Sequence, residues 1–389
     1  MNLNLFVVTL SFVFCFTSVL CDSLNEGSEC VFEEDGIKGM CVNINQCMQY
    51  VKVVKEKTAR PQICSYEDET PIVCCTDCEL VNDTNNVLVD RFGLHYYKTG
   101  SKAHDKSIEY VIEAPYPCEL SGGVQRYLDD EKQCYGYTPT TILAIAGGTD
   151  AIRGQYPHMT LLGYGEAQET AEWLCGGSLI SHKYVLTAAH CISSRAAGRV
   201  KYLALGILKR TDPVEMWKKY NVKKVIPHPG YKSPSKYHDI ALLESDKWIK
   251  FNHLVMPAAL NTGEASGTVA FATGWGGTGQ RKGLADTLQT VVLKAYSESE
   301  CTSFFPQHRH LSSGFNRTTQ MCYGDKENIN DTCEGDSGGP LQVNSEISSC
   351  MHVIIGVTSY GRPCGFAGGA GMYTRVEHYV PWIESVVWP

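Results

Sequence analysis

The chain has 389 residues, 43% apolar and 20% charged, with 18 Cys and a formal net charge of −8. That length exceeds what one hydrophobic core organises, and the apolar fraction excludes a wholly disordered chain. Net acidity argues against broad nucleic-acid binding, and so many cysteines point to a secreted disulfide framework or to metal sites.

The N-terminus speaks to the compartment. From Leu3 to Leu20 the sequence is almost wholly apolar, and no charge precedes Asp22. Val19-Leu20-Cys21 offers a signal-peptidase site, so residues 1–21 are expected to be a secretory signal peptide. The n-region lacks Lys and Arg, which leaves an uncleaved anchor as the alternative. No other stretch reaches the roughly 18 apolar residues of a membrane helix, so the expected product is secreted and free of membrane spans. Cys15 and Cys21 would leave with the signal, and 16 cysteines remain. The charge is uneven: residues 22–144 hold 11 Lys+Arg against 21 Asp+Glu, and residues 145–389 hold 23 against 21. Two different objects are implied.

Cys30, Cys41, Cys47, Cys64, Cys74 and Cys75 follow, with 10, 5, 16, 9 and 0 residues between them. A unit this short buries too little apolar area and must be crosslinked. Six cysteines allow 15 pairings, and the gaps lack the spacing of a zinc site. The order of gaps, closed by the Cys74-Cys75 doublet, resembles the arthropod clip domain over residues 30–75. The resemblance implies the pairs Cys30–Cys74, Cys41–Cys64 and Cys47–Cys75. Residues 76–144 have scattered charge, Pro/Gly breaks and little sustained periodicity. They read as a linker or pro-region, tethered through Cys78, Cys118 and Cys134.

Three segments in residues 145–389 carry chemistry: Leu186-Thr187-Ala188-Ala189-His190-Cys191, Asp239-Ile240-Ala241-Leu242-Leu243 and Gly335-Asp336-Ser337-Gly338-Gly339-Pro340. A serine hydroxyl is a poor nucleophile until a base takes its proton, and a carboxylate must hold that base in the right tautomer. His190, Asp239 and Ser337 supply those roles, and the backbone N–H groups of Gly335 and Ser337 suit a developing oxyanion. Each residue alone is ambiguous. A lone His is usually structural, Asp239 would serve as a turn residue, and a Gly-rich serine loop would serve as a phosphate cradle. Together, with Trp173-Leu174-Cys175-Gly176-Gly177-Ser178-Leu179-Ile180 and Gly274-Trp275-Gly276, they resemble the trypsin/chymotrypsin-like serine proteases over all of 145–389. The resemblance implies an all-β fold of two six-stranded antiparallel barrels, preceded here by the small disulfide-rich clip domain.

By the same resemblance, Asp331 lies at the base of the primary specificity pocket, with Ser359, Gly361 and Gly371 also binding substrate. A buried carboxylate there selects Arg or Lys before the scissile bond. Ile145-Ala146-Gly147-Gly148 resembles the N-terminus that the family exposes on activation, whose ammonium pairs with Asp336. Ala144 departs from the pattern, because Arg or Lys usually precedes that bond. The Asp331 pocket would reject Ala144, so self-activation is not expected. An upstream protease without Arg/Lys preference, endogenous or microbial, is expected instead. The resemblance pairs Cys175 with Cys191, Cys301 with Cys322, and Cys333 with Cys364. Cys78, Cys118, Cys134 and Cys350 remain, and Met256-Pro257-Ala258-Ala259 lacks the cysteine that usually receives the linker. Cys134–Cys350 between the chains and Cys78–Cys118 within the linker are the preferred pairs among three connectivities.

Asn82 and Asn316 are the expected glycosylation sites; Asn330, beside the pocket, is expected to stay unmodified. The chemistry needs no cofactor, and Leu205-Gly206-Ile207-Leu208 places an aliphatic residue where a calcium-binding Glu would stand, so no metal is expected. The resemblance implies a haemolymph protease zymogen that cleaves a downstream zymogen or cytokine precursor in an innate immune or developmental cascade, restrained by serpins. A catalytically silent clip-domain homologue acting as a binding cofactor is the alternative, and a digestive enzyme a third reading.

Overall fold

Short runs of β-branched and aromatic residues between glycine- and proline-bearing turns favour strands. The structure, a computed structural model, describes residues 24, 28–31, 38–44, 61–67, 70–75, 87–89, 95–113, 148–252, 254–263, 265, 267–277, 283–325, 335–345, 351–361 and 369–389. The chain divides into two units, Met1–Thr76 and Asp77–Pro389.

In the first unit, four short antiparallel strands lie in the order Glu29–Val31, Lys38–Asn43, Thr70–Cys75, Ile63–Glu67. Among the described residues, their buried core is Cys30, Cys41, Ile72, Val73 and Cys74. The disulfides Cys30–Cys74 and Cys41–Cys64 therefore form part of it. Loop closures of 44 and 23 residues each remove about 3–4 kcal/mol of unfolded-chain entropy. Cys75 is also disulfide-bonded, and Cys47 lies outside the described residues.

The second unit contains two closed six-stranded antiparallel barrels. The first consists of β1 (Met159–Tyr164), β2 (Glu172–Leu179), β3 (Tyr184–Thr187), β4 (Gly198–Leu205), β5 (Lys218–Pro227) and β6 (Ala241–Ser245). They pair in the order β1-β2-β3-β6-β5-β4, and β4 returns to β1 with Leu203 opposite Leu162. The second consists of β7 (Val269–Gly274), β8 (Gln289–Ala295), β9 (Gln320–Gly324), β10 (Pro340–Asn344), β11 (His352–Gly361) and β12 (Ala370–Arg375). Their order, β7-β8-β9-β12-β11-β10, closes from β10 to β7 and repeats that of the first barrel. Closure leaves no open sheet edge in either.

Leu162, Leu179, Leu186, Leu203 and Leu242 fill the first barrel, and Ala272, Leu293, Leu341 and Tyr373 the second. Met159, Leu161 and Ala204 of the first meet Trp275 and Leu288 across the seam. Disulfides Cys175–Cys191 and Cys301–Cys322 staple β2 to the turn after β3 and a short helix to β9. Cys333 and Cys364 lie outside the described residues, as do Cys78, Cys118, Cys134 and Cys350.

Among the described residues, three α-helices complete the unit: α1 (Lys102–Glu113), α2 (Glu298–Phe304) and α3 (Val376–Val387). In α3, Val376, Tyr379, Val380, Ile383 and Val387 form one apolar stripe at helical spacing and join the first barrel's core. The stretch 76–144, read as an irregular linker, contains α1 and a strand pair, Val87–Val89 with His95–Tyr97. Ala103, Tyr110 and Val111 of α1 are buried in the same core as α3.

Candidate active site

Two of the three sequence-nominated residues are joined directly. His190 sits in a 3-10 turn, Ala189–Ile192, just beyond β3, and Asp239 ends the loop entering β6. Strands β3 and β6 are neighbours, with Thr187 opposite Ala241, so the two residues meet at one end of the first barrel. The His190 ring Nδ1 lies 2.8 Å from Asp239 Oδ2, and the His190 backbone N–H donates to Oδ1 at 2.8 Å. Two bonds to one carboxylate fix both the ring and its backbone. Tyr164 OH donates to Cys191 O at 2.5 Å and pins the same turn from below.

The Asp239 side chain is 1% exposed. Burial alone pushes its carboxyl up, but the facing His190 ring and the hydrogen bonds from His190 and Ser359 outweigh that and hold it below the usual carboxylate range. The Ser359 hydroxyl donates to Oδ2 from β11, and Thr374 Oγ1 donates to the Asp239 carbonyl from β12 at 2.9 Å. The second barrel thus grips the first barrel's carboxylate. Sequence reasoning placed Ser359 only in the substrate site and overlooked Thr374 and Tyr164. A hydroxyl inside a strand carries no motif, so nothing in the sequence marked them.

Ser337 lies in the turn before β10, and the seam fixes its position. The Gly176 N–H of β2 donates to Ser337 O at 2.8 Å, and Gly338 N–H donates to Thr358 O of β11 at 2.9 Å. Gly338 has φ +78°, and a Cβ there would stand 2.1 Å from Thr187 Oγ1 and 2.5 Å from Gly176 O. Only glycine permits both that backbone and that approach. The serine turn therefore packs on Thr187 and Ala188, next in sequence to the His190 turn. Among the described residues, no hydrogen bond joins Ser337 Oγ to His190.

Asp336 Oδ1 accepts from Gly276 N–H at 2.9 Å, and a Cβ at Gly274 or Gly276 would overlap its carboxylate. Gly361 and Gly371 face each other across β11 and β12, Gly371 buried and Gly361 exposed. Asp331, Ala144, Ile145 and Asn82 lie outside the described residues. Asn316 is exposed in a turn, its side-chain oxygen accepting from Thr318 N–H at 3.0 Å. The sulfurs of Cys175 and Cys191 lie within 4.8 Å of a His190 nitrogen, but joined as a disulfide they offer no thiolate to a metal. The arrangement is an oriented imidazole–carboxylate pair beside a serine on a glycine turn, which suits acyl transfer.

Comparison with known proteins agrees with this geometry. A family model described as Trypsin matches residues 145–383. The chain is 30% identical to the serine protease snk of Drosophila melanogaster over 94% of its own length and 80% of that protein. It is 33% identical to melanization protease 1 of Drosophila melanogaster over 62% of this chain and 65% of that one. It is 27% identical to phenoloxidase-activating enzyme 1 of Spodoptera litura over 96% of this chain and 97% of that one.

Proposed function

The chain belongs to the trypsin family of serine proteases, and from that premise we propose that it is a secreted endopeptidase zymogen cleaving after Arg or Lys. The observation that carries the proposal is the buried Asp239 carboxylate, ionised and bonded to the ring and backbone of His190, beside the Ser337 turn.

In this reading Ser337 Oγ attacks the scissile carbonyl carbon while His190 Nε2 takes the hydroxyl proton. Asp239 stabilises the imidazolium and keeps Nδ1–H pointed at itself. The oxyanion is met by the N–H groups of Gly335 and Ser337. His190 then protonates the leaving amine, and water repeats the sequence on the acyl-enzyme. The Ser337–His190 contact tightens when activation and substrate order the site, as catalytic hydrogen bonds often do.

The substrate side chain enters between Gly361 and Gly371 toward Asp331, whose charge selects a cation. Cleavage between Ala144 and Ile145 frees an ammonium that pairs with Asp336, and the glycine wrapping at 274–276 supports a carboxylate held for that purpose. Because Ala144 does not fit the enzyme's own pocket, an upstream protease of different preference activates it. The names of the relatives support a place in an extracellular cascade, with a downstream zymogen or cytokine precursor as substrate and serpins as inhibitors. The haemolymph is the expected location. No described helix is long and apolar enough to cross a membrane. Residues 30–75 act as a clip module that recruits partners, and residues 76–144 as the pro-region. Asn82 and Asn316 carry glycans, and Cys47–Cys75, Cys333–Cys364, Cys134–Cys350 and Cys78–Cys118 complete the disulfides.

The test is a titration of the cleaved chain with a serine-directed covalent inhibitor, alongside peptide substrates ending in Arg, Lys, Phe or Ala. Stoichiometric labelling that Ser337→Ala abolishes, with a preference of 100-fold or more for Arg and Lys that Asp331→Ser removes, is expected. A cleaved chain that takes no label is not an enzyme, and one that prefers Phe or Ala overturns the pocket assignment.

A further inference from the structure

Helix α1 precedes the proposed activation bond, yet it is built into the catalytic unit. Ala103, Ser107, Ile108, Tyr110 and Val111 are all less than 8% exposed. Ala103, Tyr110 and Val111 share one apolar cluster with Phe251, Leu260, Ile383 and Val387. The Tyr110 ring meets Phe251 and His182 edge-on at 5.4 Å in each case.

The polar contacts are reciprocal. The first turn of any helix leaves backbone N–H groups unpaired, and the last turn leaves carbonyls. Here Glu384 Oε1, on α3, accepts from Ala103 N–H at 2.8 Å and from the Ser101 hydroxyl at 2.9 Å, placing a carboxylate at the positive end of α1. In return Lys102 Nζ donates to Trp388 O at 2.6 Å, placing a cation at the negative end of α3. Trp388 Nε1 donates to Tyr110 OH at 2.8 Å and closes the pair. Each helix completes the other's terminus. Neither is a finished element alone.

We propose that α1 is a non-covalent latch: after the chain is cut, the N-terminal part stays on the protease through α1 whether or not a disulfide joins the pieces. The active enzyme is then a two-chain body whose light chain is part of its fold. The link continues inward, because α1 packs on Ala259–Leu260, which pairs in parallel with β11 at Val353 and Ile354. The same strand carries Ser359. The inference rests on the reading that activation cuts the chain after residue 113, and its test is made independent of the natural cleavage site.

The full chain is prepared with Cys78, Cys118, Cys134 and Cys350 changed to Ser and a site-specific protease sequence in place of residues 140–144. It is cut there and run on size exclusion at about micromolar concentration. One peak containing both pieces is expected. Adding Tyr110→Ala and Glu384→Ala is expected to resolve it into two. Separation of the parent, or co-elution of the double variant, overturns the latch. The natural chain gives a second measurement. Amides of Ala103–Val111 should keep their hydrogen-exchange protection within about twofold after cutting, and a hundredfold loss overturns the proposal. Failure of the natural activator to generate an Ile145 terminus counts against the activation reading alone.

Discussion

His158 and His352 take no part in the chemistry, yet they make the protein acid-sensitive. Both rings are buried, with centroids 5.4 Å apart. Burial pushes His352 down to about 4; burial and then the neighbouring His352 push His158 well below its ordinary value. A histidine lowered on folding binds more protons in the unfolded chain. Its contribution is intact above the unfolded value of 6.5 and declines as pH falls from there to about 4. For His352 alone the loss is about 3 kcal/mol. Urea unfolding at pH 7 and pH 5 should show wild type losing more stability than His352→Gln; equal losses would refute the assignment. At Asp239, the Ser359 bond is one of three side-chain or backbone donors to the carboxylate. Removing a hydrogen bond to a buried charge costs about 1.5–3 kcal/mol. Ser359→Ala is therefore expected to lower kcat/KM by about 10- to 100-fold with the fold intact, measured on a peptide ester. An unchanged rate would mean that His190 alone orients Asp239.

At the scale of elements, the short α2, stapled to β9 by Cys301–Cys322, shows how local chemistry adds to a tertiary anchor. Ser297 accepts from Glu300 N–H at 3.4 Å, and Glu300 Oε2 accepts from Ser297 N–H at 2.8 Å, forming a capping box. Ser297→Ala should destabilise the protein by about 1 kcal/mol in chemical denaturation, without altering turnover, because the hydrogen bonds that hold His190 and Asp239 to each other and to Ser359 and Thr374 come from outside α2. A larger loss of turnover than of stability would contradict this. Elements differ in how plainly their sequence announces them. The stripe of α3 is strongly apolar at helical spacing, although it was not among the elements read from the sequence. That of α1 runs through Ala103, Ser107, Ile108, Tyr110 and Val111, and two of those five are small or polar. Its burial owes as much to the partner surface as to its own apolar side chains, so residues 76–144 read as linker. Barrel closure is obscure for a different reason. Alternation identifies a strand and its inward face, but not the neighbour it pairs with, and β4–β1 joins residues far apart in the chain. The segments around His190, Asp239 and Ser337 were legible because the chemistry proposed for them needs specific residue types at fixed offsets.

At the scale of the molecule, the two barrels share one strand order and divide the site between them. His190 and Asp239 come from the first; Ser337, Ser359 and Thr374 come from the second. Of the bonds across the seam, three bear directly on the site and are sharply directional: Gly176 to Ser337, Ser359 to Asp239, Thr374 to Asp239; others, such as Trp275 Nε1 and Leu288 N–H to Leu208 O, lie away from it. Each barrel meanwhile has a filled interior, and the first barrel's apolar cluster runs on to Ile354 and Val357 of β11. A slip of about 1 Å along the seam is enough to cost about 100-fold in rate while leaving both interiors packed. Heating the activated enzyme should therefore abolish reversible activity several degrees below the melting transition seen by tryptophan fluorescence or calorimetry. Coincident curves would mean the halves melt as one. The serine turn thus behaves as a gauge of alignment, and reaction rate becomes the most sensitive thermometer this protein carries.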